Sequence, residues 1–299
     1  MADQEQRPRL SQRSFVASAV ATATGSLAPV RAETGKDHIN LRVTGAQDPT
    51  LIFVHGFACA LDDWDAQVKA LSPRFRCVAL DLPGHGASAK PETVSIATMG
   101  SAVKQVKERV DARATILVGH SMGCRVIVEA FLQSPPGISG LVFVDGSIIG
   151  GDPETGVQRA KDSISRGGMD AFTERLFTDM FLEDSDPALR DRLVARAKGI
   201  DPAFREELFV DFVRWDLTKA RAALKQIAVP ALVLQSTYID SNLKRAPMQA
   251  GMTTPWMDAI ASAVAKSEAK IVPHAGHFAM IEGAQVINEE IGKLAARLA

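Results

Sequence analysis

The chain has 299 residues, 46% of them hydrophobic and 23% charged, and a formal net charge of −1. That is enough chain for one large domain or two small ones, and a near-neutral balance excludes a basic field for nucleic acid and a polybasic membrane patch. No run of about 18 strongly apolar residues is present, so neither a transmembrane helix nor stable membrane insertion is expected.

The first 32 residues differ from the rest. Arg7, Arg9 and Arg13 precede an uncharged stretch, "SFVASAVATATGSLAPV" (14–30), which closes on Arg31 and Ala32. A basic start, a modest apolar stretch and small residues before a cut after "VRA" predict an export signal over 1–32 and a periplasmic mature chain. "SQRSFV" (11–16) resembles the twin-arginine consensus, except that Gln12 stands where the first arginine belongs. The alternative is an N-terminal tail on a cytoplasmic protein.

Beyond residue 32, short aliphatic runs recur. "LIFVH" (51–55), "CVALD" (77–81), "TILVG" (115–119), "LVFVD" (141–145), "ALVLQ" (231–235) and "KIVP" (270–273) are each continuous rather than alternating. Strands buried on both faces of a parallel sheet read this way. Helical periodicity fills the gaps between most of them, as in 96–112 and in "MGCRVIVEAFLQS" after Ser121, so the prediction is an α/β fold. "HINLRVTG" (38–45) predicts an antiparallel edge strand. The rhythm breaks between Gly150 and Ala228, where 169–182, 187–199 and 202–215 show helical spacing and no strand appears. The predicted organisation is a core over 33–149 and 229–299, with 150–228 as a helical lid or as a separate helical unit.

"LVGHSMGCR" (117–125) places Ser121 between Gly119 and Gly123, directly after a predicted strand and at the start of a predicted helix. That is the setting of a nucleophile elbow, a tight turn that exposes the serine and leaves no room for side chains at the flanking glycines. The helix start supplies N–H groups and a positive dipole end for a developing oxyanion. "HGF" (55–57), "DLPGHG" (81–86) and "PHAGHF" (273–278) close three other strands. The spacings of Cys59, Cys77 and Cys124 match no zinc site and no disulfide framework, so they read as small buried hydrophobes and no metal ligands are predicted.

These four motifs, in this order, resemble the α/β-hydrolase family over roughly residues 38–299. The resemblance implies a mainly parallel eight-stranded sheet flanked by helices, a helical cap inserted after the sixth strand, no cofactor, and a Ser–acid–His mechanism. Matched to the family's motifs, Ser121 is the nucleophile and His277 the base, with His274 as the rival. The backbone N–H groups of Phe57 and Met122 form the oxyanion hole. His55, His85 and His120 fall within turn motifs and read as structural. Trp64, Met122 and Phe278 are candidates for an acyl pocket or for ordinary core packing.

Serine at the elbow argues against the dehalogenase and epoxide hydrolase branches, which use aspartate there. It favours attack on a carbonyl and an acyl-enzyme resolved by water. The expected partner is a small hydrophobic ester or lactone; the alternatives are a cofactor-free perhydrolase, a carbon–carbon bond hydrolase and a non-enzymatic binding protein of the same fold. The triad acid has two candidates. Asp145 ends the "LVFVD" strand, and Asp240 follows the penultimate strand in "ALVLQSTYID", where the family's usual glycine is replaced by Ser236.

Overall fold

The computed structural model describes residues 38–240 and 244–299; the expected export signal over 1–32 lies outside the described residues. In chain order come β1 (Leu41–Thr44), β2 (Thr50–Val54), a 3-10 turn over Leu61–Trp64 running into α1 (Asp65–Leu71), and β3 (Arg76–Leu80). Next are α2 (Ile96–Val110), β4 (Thr115–His120), α3 (Gly123–Gln133) and β5 (Ile138–Val144). Five helices follow without a strand: α4 (Pro153–Ser165), α5 (Gly168–Thr178), α6 (Pro187–Lys198), α7 (Pro202–Thr218) and α8 (Ala220–Leu224). The chain then returns through β6 (Ala231–Gln235), the strands β7 (Thr237–Ile239) and β8 (Arg245–Pro247), α9 (Pro255–Ala263), β9 (Ser267–Ile271), α10 (Ala279–Glu282) and α11 (Ala284–Arg297).

The main sheet has the order β1-β3-β2-β4-β5-β6-β9, parallel throughout except for β1, which pairs antiparallel with β3 at the edge. Seven strands, not the expected eight, form this sheet among the described residues, because a single antiparallel strand precedes the parallel series. By the same count the helical insertion follows the fifth strand rather than the sixth. Every residue of β2, β4 and β6 is buried, as their unbroken apolar runs require. The last strand is an edge and is half exposed. It reads "SEAKI", which starts three residues before the apolar run that announced it, and its charged side chains blunt the free edge.

Within the insertion the helix starts are written locally. Asp152, Asp186 and Asp201 each stand directly before a proline, and each carboxylate accepts an N–H from the first turn of the helix that follows. The proline lacks the N–H that would otherwise be orphaned, and each cap is worth about 1 kcal/mol. No helix among the described residues is long and apolar enough to cross a membrane.

Candidate active site

The C-terminal ends of β4, β5, β6 and β9 lie side by side, and the residues that leave them converge. Ser121 follows β4 with φ of +53°, and its N–H donates to the carbonyl of Val144 at 3.1 Å. A left-handed residue between a strand and a helix is strained for anything but glycine, and here the neighbours enforce it. A Cβ on Gly119 would collide with the carbonyl of Gly123, and one on Gly123 with the carbonyls of Val54 and His55. Ala58, Asp145 and His274, all at loops leaving strand ends, share the positive φ.

His277 is buried in the loop after β9. Its Nδ1 lies 2.6 Å from Oδ2 of Asp145, the first residue after β5. Since the carboxylate can only accept, Nδ1 carries the proton and Nε2 keeps its lone pair. The loop is held from three sides. His277 N–H donates to the Met180 carbonyl at 2.8 Å, His120 Nε2 donates to the His277 carbonyl at 2.8 Å, and the Ser236 hydroxyl donates to the Gly276 carbonyl at 2.8 Å.

Asp145 is 1% exposed and fully satisfied. Oδ1 accepts from Gln235 Nε2 (3.0 Å), Ser236 N–H (2.9 Å) and Thr237 N–H (2.8 Å). Oδ2 accepts from His277 and, at 2.6 Å, from the Thr237 hydroxyl, with Arg245 Nη1 at 3.3 Å. Burial by itself raises the carboxyl, but the bond and charge of His277 followed by the charge of Arg245 outweigh it and hold Asp145 well below the usual carboxylate range. The segment after β6, which leads to the rival acid Asp240, thus serves as a cradle for a carboxylate on the neighbouring strand. Asp240 sits in the turn between β7 and β8, where its Oδ1 accepts the Lys244 N–H at 2.9 Å.

Burial lowers His277 to about 4, with Arg245 acting in the same direction and Asp145 opposing both. His55, His85 and His120 are also buried and shifted down, His85 to about 4 and His120 to about 3. His55 spans the Gly56 carbonyl and the Leu82 N–H, and His85 the Pro83 carbonyl and the Ala58 N–H, so both tie loop backbone together.

Phe57 and Met122 flank the serine in the two loops expected to supply an oxyanion hole, and among the described residues neither N–H has a hydrogen-bond partner. The Phe57 ring meets Phe209 of α7 at 5.7 Å, and Phe209 in turn meets Phe172 and Phe212 at 4.7 and 5.6 Å. Phe278 is stacked on Phe181 at 5.2 Å and lies beside His277. Trp64 is fully buried with its ring 5.2 Å from Phe53 of β2, which gives it a core contact. Sequence reasoning missed Arg125, Gln235, Thr237 and Arg245. A signal existed for Arg125: it and Glu129 are one turn apart in the otherwise apolar "CRVIVEAF", a pattern that demands buried partners. Among the described residues no cluster of three or more His, Cys, Asp or Glu is arranged to hold a metal ion.

A serine on a strained strand-to-helix turn, and a histidine bonded to a buried aspartate at the same carboxyl edge of a parallel sheet, are the arrangement of an enzyme of the α/β-hydrolase type. The model of the alpha/beta hydrolase family matches residues 51–290, and the chain belongs to that family. It is 28% identical over 295 residues to the dihydrolipoyllysine-residue acetyltransferase component of the acetoin cleaving system of Pseudomonas putida, covering 94% of this chain and 72% of that protein. Over 165 residues it is 31% identical to the pimeloyl-[acyl-carrier protein] methyl ester esterase of Methylococcus capsulatus, covering 55% of this chain and 59% of that one. Among solved structures, a thermophilic esterase from Thermogutta terrifontis superposes with a TM-score of 0.72 at 20% identity, over 88% of this chain and 94% of that chain.

Proposed function

We propose that the protein is a serine hydrolase that cleaves a carboxylic ester or lactone through an acyl-enzyme. The observation that carries this reading is the 2.6 Å bond between His277 Nδ1 and Asp145 Oδ2, which leaves the Nε2 lone pair free to act as the base. In this mechanism His277 takes the Ser121 proton as Oγ attacks the carbonyl. The N–H groups of Phe57 and Met122 bind the oxyanion, and the imidazolium, steadied by Asp145, protonates the leaving alcohol. Water, activated by the same histidine, releases the acid. Helices α4–α8 act as the lid, with Phe172, Phe209 and Phe212 packed above Phe57 as the apolar surface for the acyl or alcohol group. The esterase named among the relatives accords with this chemistry. The test is turnover of p-nitrophenyl esters and labelling by a fluorophosphonate. Both are expected from the parent and neither from Ser121→Ala, and an unlabelled Ser121 would overturn the reading.

A further inference from the structure

The acid of this site carries a cation. Arg245 comes from the hairpin that pairs Ile239 with Arg245 and Thr237 with Pro247, and its side chain is only 15% exposed. Its Nη1 lies 3.3 Å from Asp145 Oδ2, the same oxygen that accepts His277 Nδ1. It also donates to the Thr237 hydroxyl at 2.6 Å. Because the guanidinium can only donate, the hydroxyl's own hydrogen is left for Asp145 Oδ2, 2.6 Å away. The guanidinium therefore reaches the carboxylate twice, directly and through Thr237.

A histidine paired with a lone buried carboxylate gains a proton readily, because the imidazolium faces an unopposed negative charge. Here the negative charge is already answered before His277 is protonated. We propose that Arg245 is a positioning residue for His277: by sharing Asp145 with the histidine from the β7–β8 hairpin, it keeps His277 an unprotonated base into acidic solution. This rests on His277 being the general base of the proposed hydrolase.

The other charges around the histidine do not supply the same effect. Arg125 on α3 acts on His277 more weakly than Arg245 does, and His120, whose ring centroid is 4.7 Å from that of His277, is itself held neutral by burial. Burial lowers Arg245 from the ordinary arginine value, and the charges of Asp145 first and of Asp179 at the end of α5 second oppose it. Glu282 on α10 is engaged by the Ser185 hydroxyl at 2.5 Å and is raised by its own burial. A unit charge about 6–12 Å away, at an effective dielectric of about 20, moves a histidine by about one to two pH units.

The experiment follows the downfield proton resonance of His277 Nδ1–H against pH in the full chain, alongside the pH dependence of fluorophosphonate labelling of Ser121. In Arg245→Met both midpoints are expected to rise by about one to two pH units, and in Arg245→Lys, which keeps the charge, to stay near the parent value. Arg245→Gln keeps hydrogen-bond donors without the charge; it is expected to move with Arg245→Met and replaces it if that variant does not fold. An unchanged resonance midpoint in the neutral variants overturns the proposal, as does a lysine variant that shifts as far as methionine. Absence of labelling in the parent counts against the serine-hydrolase reading alone, since the resonance still reports on Arg245.

Discussion

Arg125 and Asp216 form a bidentate ion pair, with Nε to Oδ1 at 2.9 Å, Nη2 to Oδ2 at 2.7 Å and both side chains fully buried. The arginine lies one turn beyond the elbow on α3 and the aspartate near the end of α7, so the pair bolts the helical insertion to the helix that follows Ser121. The remaining valences are also used. Nη1 donates to the Ser121 carbonyl at 2.9 Å, Nη2 to the Ser147 carbonyl at 2.5 Å, and Asp216 Oδ2 accepts the Ile149 N–H at 2.9 Å. The guanidinium also lies over the Phe212 ring at 4.5 Å.

Breaking that pair from one side strands a charge in the interior. Arg125→Met is expected to cost about 3–5 kcal/mol, because Asp216 stays buried without its partner, whereas Arg125→Met/Asp216→Leu should recover much of the loss. Denaturant unfolding of the two variants checks this. A single variant as stable as the parent would mean the charges are not coupled.

Exchange of one oxygen for nitrogen separates the two acids. Asp145→Asn should lower turnover by about 10⁴-fold, by analogy with serine proteases, because His277 then loses the acceptor that orients it. Asp240→Asn, in the hairpin turn, should change turnover little. The comparison is made on kcat with one p-nitrophenyl ester, after circular dichroism has shown both variants folded.

The apolar surface above Phe57 gives a prediction about preference. Phe209→Ala removes the ring that joins Phe57, Phe172 and Phe212, and should weaken kcat/KM for long acyl esters by about 10–100-fold, with a smaller effect on acetate. A chain-length series on the two proteins measures it. An equal loss at every length would assign Phe209 to packing alone.

Four buried histidines give the stability a definite pH dependence. His55, His85, His120 and His277 all stand below their ordinary value, so between about pH 6.5 and pH 4 the unfolded chain binds protons that the folded chain refuses. Stability is therefore fully present above the unfolded histidine range and falls as the solution is acidified through it. Each such group contributes on the order of 1 kcal/mol per pH unit. Thermal melts from pH 7.5 to pH 4.5 should show Tm dropping throughout; a flat profile would contradict the buried, neutral assignment.

The N-terminal segment is open to a direct check. Export with cleavage after "VRA" is proposed, so Edman or mass-spectrometric analysis of protein from the periplasm of a bacterial host should find Glu33 at the terminus. A cytoplasmic product beginning at Met1 or Ala2 would sink it.

What could be read in the sequence was local. The runs that became β2 to β6 are apolar without interruption because both faces of those strands are covered. The Gly119–Ser121–Gly123 spacing marks a turn whose steric demand is local at Gly119, against Gly123, and tertiary at Gly123, against the end of β2. The segments read as helices at 187–199 and 202–215 start at Asp-Pro pairs whose caps are made in their own first turns, whereas α4, behind Asp152-Pro153, is not among the segments read as helical. The edge strand β9 was misplaced by three residues because an edge needs no apolar run, and the β7–β8 hairpin is too short and polar to carry a period.

The acid and its cation belong to tertiary structure. Asp145 is 132 residues from His277 in sequence and Asp240 only 37, yet Asp145 holds the 2.6 Å bond. The reason is lateral order: β5 lies between β4 and β6, so its end opens between the serine turn and the backbone of Ser236 and Thr237, which solvates a carboxylate there. Local patterning reports which segments must be buried and where the backbone must turn. Which charges meet is decided only when strands distant in sequence become neighbours, because a hydrogen bond acts over about 3 Å of space and takes no account of distance along the chain.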